Sequence, residues 1–123
     1  MWFMAEPIEA ALRPLADEER QILEVLLAEQ FPGKEALAAQ LLQTQARRVD
    51  AEGSLELVVS GGPLADVVRR IPVEAEVDDI DGTTIHVLLH VVDGFLNELE
   101  LFREDGGVIK GLISPNGLRT LVL

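Results

Sequence analysis

The chain has no cysteine and no tyrosine, a single tryptophan, and aromatic residues at only 4% of its 123 positions. Without thiols it has no disulfides, no thiolate nucleophile and no Cys-ligated zinc or iron–sulfur centre. Positive charge is also scarce. Ten Lys and Arg face 22 Asp and Glu, for a formal net charge of -12. Nucleic-acid binding draws on Lys and Arg to neutralise phosphate, so DNA and RNA are not expected partners, and an anionic membrane surface is disfavoured for the same reason. No run of residues approaches the ~20 apolar positions that span a bilayer. Met1-Trp2-Phe3-Met4 is apolar but short, has no basic flank and is followed at once by Glu6 and Pro7, unlike a secretory signal. A cytoplasmic protein is expected.

Several motifs are missing too. Gly61-Gly62-Pro63 lacks the Gly-Lys-Ser/Thr ending of a phosphate-binding loop, and Gly33-Lys34 has no second glycine or hydroxyl residue where that motif needs one. There is no Gly-x-Ser-x-Gly nucleophile elbow.

Apolar residues make up 48% of the chain, enough for a packed core. The length suits one domain over residues 1–123, with a helical part at about 8–42 and a sheet part at about 45–123. Residues 14–30 carry Ile22, Leu23, Leu26 and Leu27 in one helical stripe, with Asp17 as a candidate N-cap and Glu18 and Glu19 in the first turn. Phe31-Pro32-Gly33 breaks the pattern, and a shorter helix is expected over 34–42 with Leu37, Leu41 and Leu42 on its apolar side. Past Gln43 the period changes to two. Residues 45–50 and 54–60 read as strands around Ala51-Glu52-Gly53.

Residues 73–112 organise the rest. Asp81-Gly82, Asp93-Gly94 and Asp105-Gly106 recur every twelve residues and read as three hairpin turns. Two-residue loops at the first two would pair Val77 with His86 and His90 with Asn97. One face would then carry Val73, Ala75, Val77, His86, Leu88, His90, Leu99 and Leu101. The other would carry Glu74, Glu76, Ile85, Val87, Leu89, Val91, Glu98 and Glu100. The first face is expected to meet the helices. The second would be an apolar stripe with acidic flanks, suited to a basic protein partner. The third turn is expected to continue the meander into Val108-Ile109, and residues 118–123 to form a final short strand or packed tail whose apolar end, Leu121-Val122-Leu123, is buried or docked.

Candidate chemistry is thin. His86 and His90 share a strand face but stand about 13 Å apart at ~3.4 Å per residue, too far to chelate one metal. Core-side hydrogen-bonded histidines are the expected role. Asp78-Asp79-Ile80-Asp81-Gly82-Thr83 has alternating carboxylates but lacks the closing Glu and flanking helices of an EF-hand. No metal and no cofactor is implied, and the reading leans away from an enzyme.

Arg13-Pro14-Leu15, Glu18-Glu19-Arg20, Pro72-Val73-Glu74-Ala75-Glu76 with Asp81-Gly82, Leu88-Leu89-His90-Val91, and above all the run from Leu96 through Asn97-Glu98-Leu99-Glu100-Leu101-Phe102-Arg103-Glu104-Asp105 to Gly106 carry a resemblance. The chain resembles a small uncharacterised bacterial domain family of unknown function across much of residues 13–106. That resemblance implies no activity and no catalytic residues. Small acidic domains of this kind are sometimes immunity proteins that neutralise secreted toxins, which is an analogy only.

The sequence therefore points to an α+β fold, an N-terminal helical pair on an antiparallel β-meander of about five or six strands. The expected function is non-enzymatic protein binding, to a basic partner such as a bacterial toxin or to a second copy. The contact surface would be Glu74, Glu76, Val87, Leu89, Glu98 and Glu100. Two alternatives stay open. One is a small-ligand protein or hydrolase-like enzyme using His86 or His90 with a nearby carboxylate. The other is a structural homo-oligomer built on Trp2-Phe3 or a sheet edge.

Overall fold

A computed structural model describes residues 8–123; the Trp2-Phe3 association site expected from the sequence lies outside the described residues. Two α-helices, α1 (Asp17–Leu27) and α2 (Lys34–Gln40), accompany seven strands. These are β1 (Arg13–Pro14), β2 (Thr44–Arg48), β3 (Leu55–Val59), β4 (Val73–Asp78), β5 (Thr84–Val92), β6 (Phe95–Arg103) and β7 (Arg119–Val122). They form one sheet in the order β1-β2-β3-β6-β5-β4-β7, antiparallel at every pairing. The strand count is thus seven rather than five or six, because the short β1, which no sequence pattern announced, adds a strand at one edge.

Helix α1 is capped one residue earlier than expected. Ala16 is the N-cap, and Glu19 reaches back to accept its N–H at 2.8 Å. The helix ends at Leu27, short of Gln30. There the N–H groups of Ala28 and Glu29 turn to the carbonyls of Val25 and Leu26, three residues back, and tighten the last turn. Ile22, Leu23, Leu26 and Leu27 are buried as the stripe predicts. At Gly33 the chain takes φ +92°, and a Cβ there would sit 2.8 Å from Val67, so both conformation and space select glycine. After α2 a 3-10 turn over Leu41–Gln43 swings Leu42 outward, leaving it 91% exposed instead of on the packed side.

The hairpins carry the main correction. Asp93-Gly94 is the expected two-residue turn, with φ of 54° and 83°, and Val92 faces Phe95 across it. Leu96 then faces Val91 while Glu98 faces His90, so Asn97 is an extra residue, a bulge that shifts the remaining ladder by one. The first hairpin is one residue longer than expected. The Asp79 N–H bonds the Thr83 carbonyl at 2.8 Å, leaving Ile80-Asp81-Gly82 as the loop. Val77 therefore pairs with Ile85, and Glu76 with His86.

Both shifts act on β5, and the effect is that β5 turns over, together with Phe95 and Leu96 at the start of β6. Strand β4, and β6 past the bulge, keep their expected faces, while Ile85, Val87, Leu89 and Val91 enter the core beside Val73, Ala75, Val77, Leu99 and Leu101. His86, Leu88 and His90 point the other way and join the glutamates. The β5 side chains explain the outcome. Ile85, Val87, Leu89 and Val91 are the more apolar alternate set, and burial of that set selects the register. The helices' buried residues complete the same core.

The third turn is not a hairpin. Residues 104–118 contain no strand, and β7 pairs with β4 instead of extending beyond β6. Leu121, Val122 and Leu123 are also more exposed than a docked apolar tail would be.

Candidate functional site: the outer face of the sheet

The face opposite the helices is built by β5 and its neighbours. Cross-strand pairing sets His86 against Glu76 and Phe102, Leu88 against Glu74 and Glu100, and His90 against Glu98. Among the described residues no helix lies against this face. Of the expected contact residues, Glu74, Glu76, Glu98 and Glu100 belong to it. Val87 and Leu89 do not, since both are fully buried on the helix side. The apolar positions that replace them are Leu88 and Phe102.

The histidines are therefore surface residues with carboxylate partners, not core-side ones. His86 stacks on Phe102 with ring centroids 5.0 Å apart. Its Nε2 lies 3.2 Å from Glu104 Oε1 and its Nδ1 3.8 Å from Glu76 Oε2. His90 is flanked on both sides. Arg70 Nε donates to Nδ1 at 3.0 Å, and Nε2 lies 2.8 Å from Glu100 Oε1. An arginine can only donate, so Nδ1 is the acceptor and the ring proton sits on Nε2, facing Glu100. Both ring nitrogens are thereby engaged, and the imidazole bridges Arg70 and Glu100.

Several acidic residues of the face already have a cationic neighbour at its margins. Arg119 meets Asp78 at 3.0 Å and Glu76 at 3.9 Å, and Arg47 hydrogen-bonds Glu56. These are exposed pairs that compete with water and salt, so they hold the carboxylates loosely.

The Asp-rich turn that invites a cation is taken up by the protein itself. Arg103, on the helix side of β6, is buried, and its guanidinium reaches Asp79 at 2.8 Å, Asp81 at 3.0 Å and Asp105 at 2.6 Å. Asp79 also accepts the N–H groups of Ile80, Lys110 and Gly111, each at 2.8 Å. Burial alone would raise the Asp79 carboxyl. The Lys110 N–H, the Arg103 guanidinium and the other two N–H groups outweigh it and hold it below the ordinary range. The N–H of Thr83 and the Arg103 and Lys110 side chains keep Asp81 well below its usual value. Arg103 and the Gly107 N–H hold Asp105 at about 2. Arg103 in turn is stabilised as a cation, first by Asp105 and then by Asp79. This clamp fastens the β4–β5 loop to residues 105–111. Among the described residues no group of three His, Asp or Glu is placed to hold a metal ion.

Two concavities are present, the second lined by Arg70, which donates to His90. One of about 620 Å³ runs between α1 and α2 and includes Leu27, Ala38, Leu41 and Leu42. The other, about 420 Å³, lies between residues 65–70 and the β5–β6 turn. Neither is lined by His86 or His90.

Arg103, Gln40 and Arg70 are the residues that sequence reasoning missed. Arg103 had a signal. It alternates in phase with Leu99 and Leu101, which places a charge on the core side, and three aspartates stand at the nearby loops. Gln40 and Arg70 had none, because their partners are backbone groups and a ring brought together only by the fold.

No helix among the described residues is long and apolar enough to cross a membrane. No curated protein and no solved structure matches the chain. A family model does match, over residues 12–113, and that span covers α1, α2, the β2–β6 strands and the Arg103 clamp. The chain belongs to this family, a domain of unknown function (DUF6984).

Proposed function

We propose that the protein is a non-enzymatic binding domain whose outer sheet face, centred on Glu98 and Glu100, takes a basic protein partner. The observation that supports this best is the sorting of side chains by the sheet. One face is closed by helices, and the opposite face gathers Glu74, Glu76, Asp78, Glu98, Glu100 and Glu104 around Leu88 and Phe102. With a net charge of -12, such a face attracts a cationic surface over several ångströms and speeds encounter with it. Leu88 and the stacked Phe102 supply an apolar centre for contact. Neutralisation of a basic toxin, as by an immunity protein, is the form of this function the charge suits best, and a cytoplasmic site of action accords with it.

An enzymatic use of His86 or His90 is the weaker reading. The corrected register does bring them to the carboxylates, which favours it. Against it, His90 has both nitrogens engaged and neither concavity contains a histidine.

Affinity capture from host lysate, run in parallel with wild type and a Glu98→Lys/Glu100→Lys double variant, tests the proposal. The expected result is a specific cationic protein retained by wild type, released by salt and lost with the variant. Capture that is unchanged by the double charge reversal, or no cationic protein at all, removes it.

A further inference from the structure

The two edges of the sheet are treated differently. At one end β1 is two residues long, contains Pro14, and has Arg13 engaged with Glu9 and Glu19. A proline, a short length and fixed charges are the usual protections against a strand adding to an edge. At the other end β7 is also short, at four residues, but its one charge does not guard the free edge. Its residues Arg119-Thr120-Leu121-Val122 contain no proline and no acidic residue, and the single charge, on Arg119, turns back to Asp78. Leu121 is 55% exposed and Leu123 46%.

The ladder shows which backbone groups of β7 face outward. The Leu123 N–H bonds the Pro72 carbonyl at 3.0 Å, so Leu123, and by alternation Leu121 and Arg119, direct their N–H and C=O groups at β4. Those of Thr120 and Val122 point away, and among the described residues no strand lies beyond β7 to receive them.

We propose that β7 is a self-association edge, on which a second copy of this chain pairs its own β7 antiparallel about a two-fold axis at Leu121. That axis sets Thr120 opposite the partner's Val122 and Val122 opposite the partner's Thr120. These are the residues whose backbone groups point outward, so each pair exchanges both of its N–H···O=C bonds. Leu121 meets the partner's Leu121 on the outer face, and Arg119 lies across from the partner's Leu123. The match needs no second kind of surface, and this self-complementarity favours a copy of the chain over an unrelated strand. It is independent of the proposed basic partner, whose site is centred on Glu98 and Glu100 of β6, three strands away.

Two features set the expected behaviour. A four-residue edge buries little area, so the dimer is weak. Two protomers at -12 repel each other, so salt strengthens the pairing, the reverse of what it does to a contact with a basic partner.

Sedimentation equilibrium on the whole chain provides the test, over concentrations up to about 1 mM, the range that a small interface calls for. The weight-average mass is expected to rise from the 13.4 kDa protomer toward twice that value, and to rise further with added NaCl. Thr120→Pro removes an outward N–H without touching the bonds to β4, and Leu121→Lys sets like charges against each other at the axis. Each is expected to weaken association at least about tenfold, since every lost or repelled contact of this kind is worth roughly a factor of ten. A protomer mass at every concentration overturns the proposal. So does association that both variants leave unchanged, which would mean that another surface is responsible.

Discussion

Replacing Gln40 by leucine isolates the fully buried polar group that ties α2 to the sheet. The Gln40 amide donates to the Pro63 carbonyl at 2.8 Å and the Gly94 carbonyl at 2.7 Å, and its Oε1 accepts the Leu96 N–H at 3.0 Å. One side chain thus joins the end of α2 to the loop before β4 and to the β5–β6 turn. Leucine keeps most of the apolar stem and removes all three bonds. The costs differ by site. The Gly94 carbonyl still accepts the Ala65 N–H at 2.9 Å, so its loss is small. The Pro63 carbonyl loses its Gln40 donor, and the Leu96 N–H is left buried. Pro63 is an exposed residue whose carbonyl water can reach, so the main cost is the buried Leu96 N–H, about 1–3 kcal/mol. That is a noticeable share of the roughly 5–15 kcal/mol a domain has in total. Urea unfolding followed by circular dichroism measures it as a lower midpoint at unchanged slope. A loss below about 1 kcal/mol would refute the reasoning, because it would mean that water or a backbone shift satisfies these groups without Gln40.

Three further outcomes are expected. Leu89→Ala should cost about 2–5 kcal/mol, because Leu89 is core; on the outer face, where the two-residue turn register places it, the same change would be within about 0.5 kcal/mol. Arg103→Met should cost about 3–5 kcal/mol by leaving the buried Asp79 carboxylate without its cation, read by the same urea titration. The clamp also sets an acid limit. The Asp105 carboxyl is depressed to about 2 in the folded chain, so the stability it contributes is complete above the unfolded value near 4 and disappears as pH falls toward about 2. Unfolding midpoints measured from pH 5 to pH 2 should therefore fall more steeply for wild type than for Arg103→Met, and parallel curves would contradict the clamp.

Much of this fold was legible in the sequence. The stripe Ile22, Leu23, Leu26, Leu27 gave α1, the Phe31-Pro32-Gly33 break separated it from α2, and alternation gave the faces of β4 and of β6 past its bulge. The Asp93-Gly94 turn was right because both residues take positive φ there. What failed was the count of residues between strands. The Ile80-Asp81-Gly82 loop and the Asn97 bulge each add a single position, and each inverts what lies beyond it. Side-chain burial would have decided the matter. His86, Leu88 and His90 make a poorer core than Ile85, Val87 and Leu89, and that burial contrast outweighs the two-residue preference of Asp81-Gly82. The candidate site suffered accordingly. Its glutamates were placed correctly, its apolar members were on the wrong side, and the Arg70–His90–Glu100 chain depends on contacts between elements that no local pattern encodes.

We propose the outer face of β4, β5 and β6 as the surface that meets a cationic partner. Nuclear magnetic resonance of the isotope-labelled chain, titrated with the captured partner, tests this most directly. Resonances of His86, His90, Glu98 and Glu100 should shift together, while the methyl groups of Val87 and Leu89 beneath them move little. Shifts confined to Leu27, Leu41 and Leu42, in the concavity between the helices, would contradict it.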